Sequence, residues 1–327
     1  MLKGTVTRND AVWQGHPDVT LFNDELIIVF RESDRHLTKN PTRLYLIIKN
    51  KSFSEPVEIA SSPHRLNCPR LTVIDDTLWL ICDIVEKSTN YFSAENDPTK
   101  TKIHLWNTKD ARNWNGPFVT NIAGIVPDKI CKTNDGFLIA AHTFENDNLV
   151  QNVWHTTDLY GEWVKYPLCH LEGYNICEAS VVKFEQKYVC LMRENSGLGL
   201  PAFVSVSSNG LEWREPKQTR IFGCHRPVCG VLKSGNLLTT YRESSHSFRP
   251  GFWAKNTFAC LTSKNSVLKD FTDSIILPLD HDQSKRCDSG YTGWVQMPDN
   301  SIFIVNYVTA DAPKPYIRWY SIFEEEF

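Results

Sequence analysis

Six segments of this chain repeat one pattern, in which an apolar run reaches a turn rich in Asp, Asn or Gly and a second apolar run ends in a polar residue. The segments are 18–31, 70–83, 129–142, 180–193, 228–242 and 293–307. Their spacing is about fifty residues, and a β-hairpin repeated at such a period predicts a β-propeller. Residues at one place in every repeat would then converge on a single central mouth.

Each hairpin is followed by two more candidate strands whose apolar and polar residues alternate, as in half-buried antiparallel strands. The predicted third strands are 43–50, 102–108, 150–157, 202–208, 256–263 and 316–323. The predicted fourth strands are 55–60, 118–122, 164–168, 217–222 and 274–279. The last repeat has no fourth strand of its own, and residues 2–8 can supply it by joining the two ends of the chain. The expected fold is therefore all-β: a six-bladed β-propeller of four-stranded antiparallel blades, closed by the N-terminal strand, in one domain over 1–327.

Composition narrows the partners that such a domain is expected to have. The net charge is −3 and no basic stripe stands out, so nucleic acid is not an expected partner. No apolar run approaches the roughly 18 residues of a membrane span, and the first residues contain no secretory signal. The ten cysteines include no CxxC pair, and several lie inside predicted strands, which indicates reduced, buried thiols. These features favour the cytoplasm, although signal-independent export would leave the same sequence.

Three of the predicted third strands run into a turn of the form Ser/Thr-x-Asp/Asn followed by a tryptophan. The turns are 108–114, 156–163 and 207–213. The acid or amide can cap the turn amides, and the tryptophan can pack between neighbouring sheets. This recurrent turn has the Asp-box pattern, and with six blades the chain resembles the sialidase-like (BNR/Asp-box) superfamily over nearly its whole length. The resemblance implies that these turns lie on the outer rim and are structural.

The repeat register brings the start of each first strand and the end of each second strand together around the mouth. Most residues there are charged or can form hydrogen bonds, and the candidate ligand contacts are His16, Asp18, Arg31, Arg70, Asp128, His142, Arg193, Arg226 and Arg242. Three of the arginines, Arg31, Arg193 and Arg242, occupy equivalent places. Because a guanidinium group binds a carboxylate through two parallel hydrogen bonds, convergent arginines predict an anionic ligand such as an acidic sugar. The alternative is that these strand-end charges form solvated ion pairs.

The resemblance to sialidases implies roles for particular residues. Sialidases use a tyrosine nucleophile, placed at the start of the inner strand of the last blade, and Tyr291 matches that place. Glu178 matches the glutamate that handles the tyrosine proton, and Arg193, at the end of the same hairpin, matches a substrate-binding arginine. The acid/base aspartate lies in the loop after the second strand of blade one, so Asp34 is the candidate, with Glu32 second. The implied activity is retaining, exo-acting hydrolysis of a terminal acidic sugar, without a cofactor.

The chain departs from the sialidase pattern at one position of the carboxylate clamp. Sialidases begin blade one with an Arg-Ile-Pro type of motif, and in the corresponding residues 15–18 the arginine is replaced by His16. Arg226 is then a candidate for the third clamp arginine. The departure places sialic acid itself in question more than the fold or the Tyr291–Glu178 pair.

Several alternatives remain open. A mouth histidine, with Asp18, Asp128 and His142, could serve a different acid/base scheme, as in a polysaccharide lyase or a propeller glycosidase of other specificity. The same four side chains could instead bind a metal ion, although their spacing follows no metal-site motif. Tyr291 could also be a strand-start aromatic whose hydroxyl caps a neighbouring loop. Outside enzymes, the alternative is a glycan-binding propeller that has lost catalysis.

Overall fold

The computed structural model describes residues 1–86, 98–145, 148–169, 171–196, 198–246, 253–285 and 287–327. These residues form six antiparallel sheets, which are the blades of a β-propeller, so the expected all-β fold is confirmed. The helical elements of the described residues are two single turns of 3₁₀-helix, Pro98–Lys100 and Glu324–Glu326.

The first three blades follow the repeats in chain order. Blade 1 contains β2 (Trp13–Phe22), β3 (Glu25–Ser33), β4 (Thr42–Lys49) and β5 (Val57–Ser62). Blade 2 contains β6 (Arg65–Leu66), β7 (Arg70–Ile74), β8 (Thr77–Val85), β9 (Thr101–Thr108) and β10 (Asn115–Val119). Its first strand is split, because β6 and β7 both pair with β8. Blade 3 contains β11 (Cys131–Lys132), β12 (Phe137–Glu145), β13 (Asn148–Thr156) and β14 (Val164–Cys169).

The remaining blades complete the ring. Blade 4 contains β15 (Ile176–Phe184), β16 (Lys187–Glu194), β17 (Pro201–Ser207) and β18 (Lys217–Phe222). Blade 5 contains β19 (Cys224–Val231), β20 (Leu237–His246), β21 (Trp253–Thr262) and β22 (Ser274–His281). Blade 6 contains β23 (Thr292–Gln296), β24 (Ile302–Val308), β25 (Tyr316–Ile322) and, from the other end of the chain, β1 (Leu2–Thr7).

The N-terminal strand closes the ring as the sequence predicts. Strand β1 pairs antiparallel with β25, with Leu2 opposite Ser321 and Thr7 opposite Ile317. The edge of β25 is thereby covered by the first strand of the chain, which becomes the outermost strand of the last blade.

The core lies between neighbouring blades. Because alternate residues of a strand face opposite sides of the sheet, one strand contributes to the cores on both sides of its blade. In β3, the run from Leu26 to Phe30 is buried throughout. Ile27 therefore packs in a cluster with Leu80 of blade 2, whereas Ile28 packs with Val305 of blade 6. Because both faces of each blade are covered, the middle strands are apolar runs rather than alternating ones.

The three Ser/Thr-x-Asp/Asn turns connect third and fourth strands, away from the mouth. In the first, the Asp110 carboxylate accepts hydrogen bonds from the backbone N–H groups of Arg112 and Asn113, at 2.8 and 2.7 Å. Asp158 caps the backbone of the second turn at 3.0 Å, and Asn209 caps the third at 3.0 and 2.9 Å. Each side chain satisfies backbone donors that the turn leaves open.

Two further observations concern the thiols and the membrane. All ten cysteines are free, and eight of them are buried. No helix in the described part of the chain is long and apolar enough to cross a membrane.

Candidate active site

The first strands of blades 1, 4 and 5 each carry a β-bulge where they reach the mouth. The residue at each bulge has a left-handed backbone: His16 (φ 53°), Glu178 (φ 47°) and Arg226 (φ 52°). Residues other than glycine rarely adopt this conformation, and bulges of this kind redirect a side chain. The bulges therefore redirect these three side chains relative to the regular alternation of their strands.

The second strands return to the mouth in the register that the repeats predict. The strand pairs are Gly15 with Arg31, Cys177 with Arg193, and His225 with Arg242. The three arginines thus occupy the same place in blades 1, 4 and 5, each one residue away from the bulge on the opposite strand.

A tyrosine of blade 6 and a glutamate of blade 4 meet at the mouth. The Tyr291 hydroxyl donates to Glu178 Oε1 at 3.0 Å, and the Arg193 guanidinium lies 2.8 Å from the same oxygen. The other carboxylate oxygen accepts from the backbone N–H of Arg226 at 3.1 Å. The Arg242 guanidinium lies 4.4 Å from the centre of the Tyr291 ring. Both Tyr291 and Glu178 are buried, and the pair is fixed by these partners.

The environment sets the protonation of this pair. Burial by itself would raise the pKa of Glu178, but Arg193 and Arg242 outweigh it and hold that pKa well below its usual range. Burial raises the pKa of Tyr291, although Arg242 opposes it. At neutral pH the site therefore holds a carboxylate that accepts a hydrogen bond from a neutral phenol.

His142 supports the glutamate from the neighbouring blade. Its Nδ1 accepts the backbone N–H of Glu178 at 3.4 Å, so the ring carries its own proton on Nε2. Burial lowers the pKa of His142 to about 4. The ring is therefore a neutral hydrogen-bond donor at the mouth.

Two cavities flank the Tyr291–Glu178 pair. One, of about 380 Å³, is lined by both members of the pair together with His16, His36, Asn67 and His142. The other, of about 300 Å³, is lined by Arg193, His225, Arg242 and Lys255. Asn195 lines both. The mouth thus has a histidine-rich side and a cationic side, with the tyrosine and the carboxylate between them.

The other predicted arginines are occupied below the mouth. Arg31 is fully buried, donates to Asn67 Oδ1 at 3.0 Å and lies 4.3 Å from the centre of the Trp13 ring. Arg70 donates to the Thr292 carbonyl at 2.6 Å, and Arg226 donates to the Pro127 carbonyl. Of the five arginines considered for the clamp, the structure brings Arg193 and Arg242 to a cavity.

The predicted aspartates Asp18 and Asp128 fasten one blade to the next. Asp18 accepts the backbone N–H of Leu71 at 2.8 Å, and Asp128 accepts that of Val181 at 2.8 Å. Both carboxylates are buried, and Asp18 also lies 3.2 Å from Lys129 Nζ. Within the described residues, no group of three side chains is placed to hold a metal ion.

The two candidates for the acid lie apart from the Tyr291–Glu178 pair. Asp34 forms an ion pair with Arg35 at 3.1 Å and accepts hydrogen bonds from Thr38 and Asn40. Burial works to raise the pKa of Asp34, but these hydrogen bonds outweigh it and lower the pKa. Glu32 contacts Gln14 at 3.5 Å, and burial raises its pKa. Neither carboxylate lines either mouth cavity.

The structure adds a dyad that the repeat pattern misses. His36, two residues beyond Asp34, faces the histidine-rich cavity and its Nδ1 lies 2.9 Å from Asp288 Oδ1. His36 belongs to a loop outside the repeat, whereas Asp288 precedes Tyr291 by three residues. The signal that was available is chemical: a histidine in the acid/base loop and a carboxylate next to the proposed nucleophile.

Comparisons with known proteins agree with this architecture. No protein-family model and no curated protein matches the chain. A structure of unknown function from Dyadobacter fermentans superposes with a TM-score of 0.78 at 17% identity, covering 98% of this chain and 96% of that one. Trypanosoma rangeli sialidase bound to the inhibitor DANA gives 0.67 at 12% identity, with 97% of this chain covered. NanB sialidase from Streptococcus pneumoniae gives 0.60 at 9%, also covering 97%.

The match covers a smaller share of the sialidases' own length than of this chain. The chain spans 56% of the trypanosomal enzyme and 69% of the pneumococcal one. At these identities the likeness shows the fold: a six-bladed propeller whose structural neighbours include sialidases.

Proposed function

We propose that the protein is an exo-acting glycoside hydrolase that releases a terminal acidic sugar with retention of configuration. Tyr291 is the nucleophile, and Glu178 accepts its proton. The observation that carries this proposal is the 3.0 Å hydrogen bond between Tyr291 Oη and Glu178 Oε1, which joins blade 6 to blade 4. The sialidases among the structural neighbours support a glycosidase-like propeller.

A tyrosine suits a substrate that carries a carboxylate beside its anomeric carbon. A carboxylate nucleophile would be repelled by that negative charge, whereas a neutral phenol is not. When Tyr291 Oη bonds the anomeric carbon, the bond from that carbon to the glycosidic oxygen breaks and a general acid protonates the departing oxygen. The tyrosine proton passes to Glu178 Oε1 along the existing hydrogen bond. The glycosyl–tyrosine intermediate is then hydrolysed by water, and Glu178 returns the proton to Tyr291.

The cationic cavity supports an acidic substrate. Arg193 and Arg242 border it, and Lys255 adds a third positive charge. The Nε atoms of both arginines are buried and have no hydrogen-bond partner among the described residues. A substrate carboxylate in this cavity would offer them acceptors, next to the ring of Tyr291 that Arg242 already contacts.

Substrate binding would also make Glu178 a stronger base. In the site without substrate, Arg193 and Arg242 stabilise the ionised carboxylate and hold its pKa down. A substrate carboxylate that shares these two arginines would reduce their attraction for Glu178. Its pKa would then rise toward the usual range while the substrate is in place, when the tyrosine proton has to be accepted.

A polysaccharide lyase that acts on a uronic acid is the second candidate. The observation that favours it is the His16 ring, which stacks on Tyr291 with centroids 4.9 Å apart. A histidine and a tyrosine side by side could remove and donate the protons of an elimination, with the arginines neutralising the carboxylate. A lyase product contains a new carbon–carbon double bond and absorbs ultraviolet light, whereas a hydrolysis product does not.

The test of the proposed function is hydrolysis of a fluorogenic nonulosonic-acid glycoside by the full chain. Tyr291→Phe is expected to lower kcat/KM by a factor on the order of 10³ or more, because it removes the nucleophile. Tyr188→Phe is the matched control, since this buried hydroxyl has no hydrogen-bond partner in the described part of the chain and lies outside both cavities. No hydrolysis of any nonulosonic-acid glycoside by the wild type, or equal rates in the two variants, would refute the proposal.

A further inference from the structure

Two histidine rings meet nearly perpendicular to each other on the histidine-rich side of the mouth, with an interplanar angle of 78°. His16 Nε2 and His36 Nε2 lie 3.2 Å apart. The other nitrogen of each ring is also engaged: His16 Nδ1 lies 2.8 Å from the Asn67 carbonyl oxygen, and His36 Nδ1 lies 2.9 Å from Asp288 Oδ1. All four ring nitrogens therefore have a partner within hydrogen-bond distance.

The identity of these partners fixes where the protons are. A backbone carbonyl can only accept, so His16 Nδ1 carries a hydrogen. Asp288 also accepts the Trp13 indole N–H at 2.7 Å and the Tyr307 hydroxyl at 2.9 Å. Burial by itself would raise the pKa of Asp288, but His36 and its other partners outweigh it and hold that pKa well below the usual range. The aspartate is therefore ionised, and His36 Nδ1 carries a hydrogen too.

Neutral rings cannot satisfy this arrangement. A neutral imidazole has one N–H, and both rings use it at Nδ1, so two Nε2 lone pairs would face each other at 3.2 Å. One additional proton between the Nε2 atoms turns this repulsion into a hydrogen bond. The ionised Asp288 supplies the countercharge for the resulting cation.

We propose that His16 and His36 share one proton between their Nε2 atoms, and that this proton is the general acid for the leaving group of the glycoside. The acid role rests on the proposed function; the shared proton itself does not. His36 takes the place expected for Asp34, since it lies on the same loop but lines the cavity beside Tyr291. The two rings lie 4.9 and 6.1 Å from the Tyr291 ring.

The two chemical steps balance with this assignment. In the first step the shared proton moves to the glycosidic oxygen as its bond to the anomeric carbon breaks. Tyr291 Oη bonds that carbon at the same time and passes its proton to Glu178. In the second step the neutral histidine pair takes a proton from the attacking water, the bond to Tyr291 breaks, and Glu178 returns its proton to the phenol. The pair is then protonated again.

Several charged or titratable groups surround the pair and define its pH dependence. Those facing it are Arg31, Cys68, Arg242, Lys255, Asp288, Tyr291 and Tyr307. Burial, followed by Arg31, holds the pKa of His16 well below its usual value, so His16 is the acceptor. Burial also lowers the pKa of His36, but Asp288 opposes it, so of the two rings His36 is the one that takes the proton, at a pH below the ordinary histidine pKa of about 6.5. Loss of this proton as the pH rises removes the acid.

The first experiment needs no substrate. The full chain, labelled with ¹⁵N in histidine, is measured by NMR as the pH is lowered from about 7 to about 5, and its metal content is determined by mass spectrometry. We expect protonated Nδ1 atoms in both rings and one proton shared by the two Nε2 atoms, with Asp288→Asn lowering the pH at which it is lost. Two unprotonated Nε2 atoms, or a stoichiometric metal ion bridging them, would overturn the shared proton.

The second experiment separates an acid from a merely structural histidine. Loss of an acid harms glycosides with poor leaving groups far more than activated aryl glycosides, which depart without a proton. His36→Gln is expected to lower kcat on an alkyl glycoside about 10²–10⁴-fold, to lower it less than about tenfold on an activated aryl glycoside, and to abolish the alkaline limb of the pH profile. Asp34→Asn, from the same loop, should show none of these effects. The reverse pattern would assign the acid to Asp34 and overturn the proposal.

The two experiments distinguish a failure of the proposed function from a failure of the shared proton. A chain that holds the shared proton but cleaves no glycoside would refute the proposed function and with it the acid role. A chain that cleaves glycosides while both Nε2 atoms are unprotonated would refute the shared proton alone.

Discussion

Replacing Arg193 with methionine tests the electrostatic core of the mouth. The Arg193 guanidinium and the Glu178 carboxylate are 2.8 Å apart, and their side chains are only 12% and 7% exposed. Removing one member of a buried pair leaves the other charge uncompensated, which costs about 3–5 kcal/mol. For 327 residues the entropy of unfolding is about 0.7 kcal/mol/K, so the melting temperature should fall by about 4–7 °C.

The pH dependence of the lost stability shows whether the uncompensated charge of Glu178 causes it. In the wild type the pKa of Glu178 is depressed, so its contribution to stability is complete above the unfolded-state pKa of about 4.3 and is lost as the pH falls through the folded value. In Arg193→Met, Glu178 stays buried but loses the positive charge that most opposes the effect of burial, so the pKa of Glu178 rises. The Glu178 carboxyl can then take up a proton as the pH is lowered from about 7 to about 5. The difference in melting temperature between variant and wild type therefore becomes smaller at the lower pH.

The assay is thermal unfolding followed by circular dichroism at the two pH values. Arg112→Met is the matched control, because Arg112 pairs with Glu25 at 3.1 Å on the surface and its loss is expected to cost about 0.2–1 kcal/mol. Adding Glu178→Gln to Arg193→Met removes the uncompensated charge and should restore part of the stability. The reasoning is refuted if Arg193→Met costs no more than Arg112→Met, or if the double variant recovers nothing.

Two further predictions concern the scaffold. Asp110→Ala removes the acceptor for two turn amides and should lower the free energy of unfolding in urea by about 1 kcal/mol, with activity unchanged because the turn lies on the outer rim; a variant of wild-type stability would contradict the capping role. Deleting residues 1–8 uncovers the edge of β25 and should cause concentration-dependent association in light scattering; a deletion variant that stays monomeric and unfolds at the wild-type temperature would show that β1 is not needed to close the ring.

The repeat pattern was sufficient to predict the blades, because each hairpin carries its own apolar runs and turn residues. It also predicted the register at the mouth, since Arg31, Arg193 and Arg242 pair with equivalent residues of their first strands. The repeat period predicts which residues lie at the mouth. It does not predict the direction in which their side chains point.

The difference between Arg31 and Arg193 shows why. Gly15, opposite Arg31, has no side chain, and the Trp13 indole fills that space so closely that a Cβ on Gly15 would lie 2.3 Å from it. The indole contacts Arg31, whose guanidinium turns to Asn67. Among the described residues no cation–π contact to Arg193 is found, and its guanidinium reaches Glu178. Two arginines at one repeat position thus have different partners because of a tryptophan three residues before the bulge residue His16.

The acid/base loop lies outside the repeat altogether, and its conformation comes from contacts that are distant in sequence. His36 is held by Asp288, which is 252 residues away in the chain. The sequence pattern predicted Asp34 and then Glu32 as candidates for the acid in this loop and did not single out His36. Which side chain of the loop lines the cavity depends on a long-range contact, the hydrogen bond between His36 and Asp288.

The central claim is that Tyr291 forms a covalent bond with the sugar, and the most direct measurement maps that bond. The wild-type chain is incubated with a 2,3-difluoro nonulosonic acid, in which the fluorine at C2 is the leaving group and the fluorine at C3 slows hydrolysis of the intermediate. The protein is then digested and its peptides are analysed by mass spectrometry. The account predicts one added glycosyl group, on the peptide that contains Tyr291. An adduct on another residue, or none with an enzyme that hydrolyses nonulosonic-acid glycosides, would contradict it.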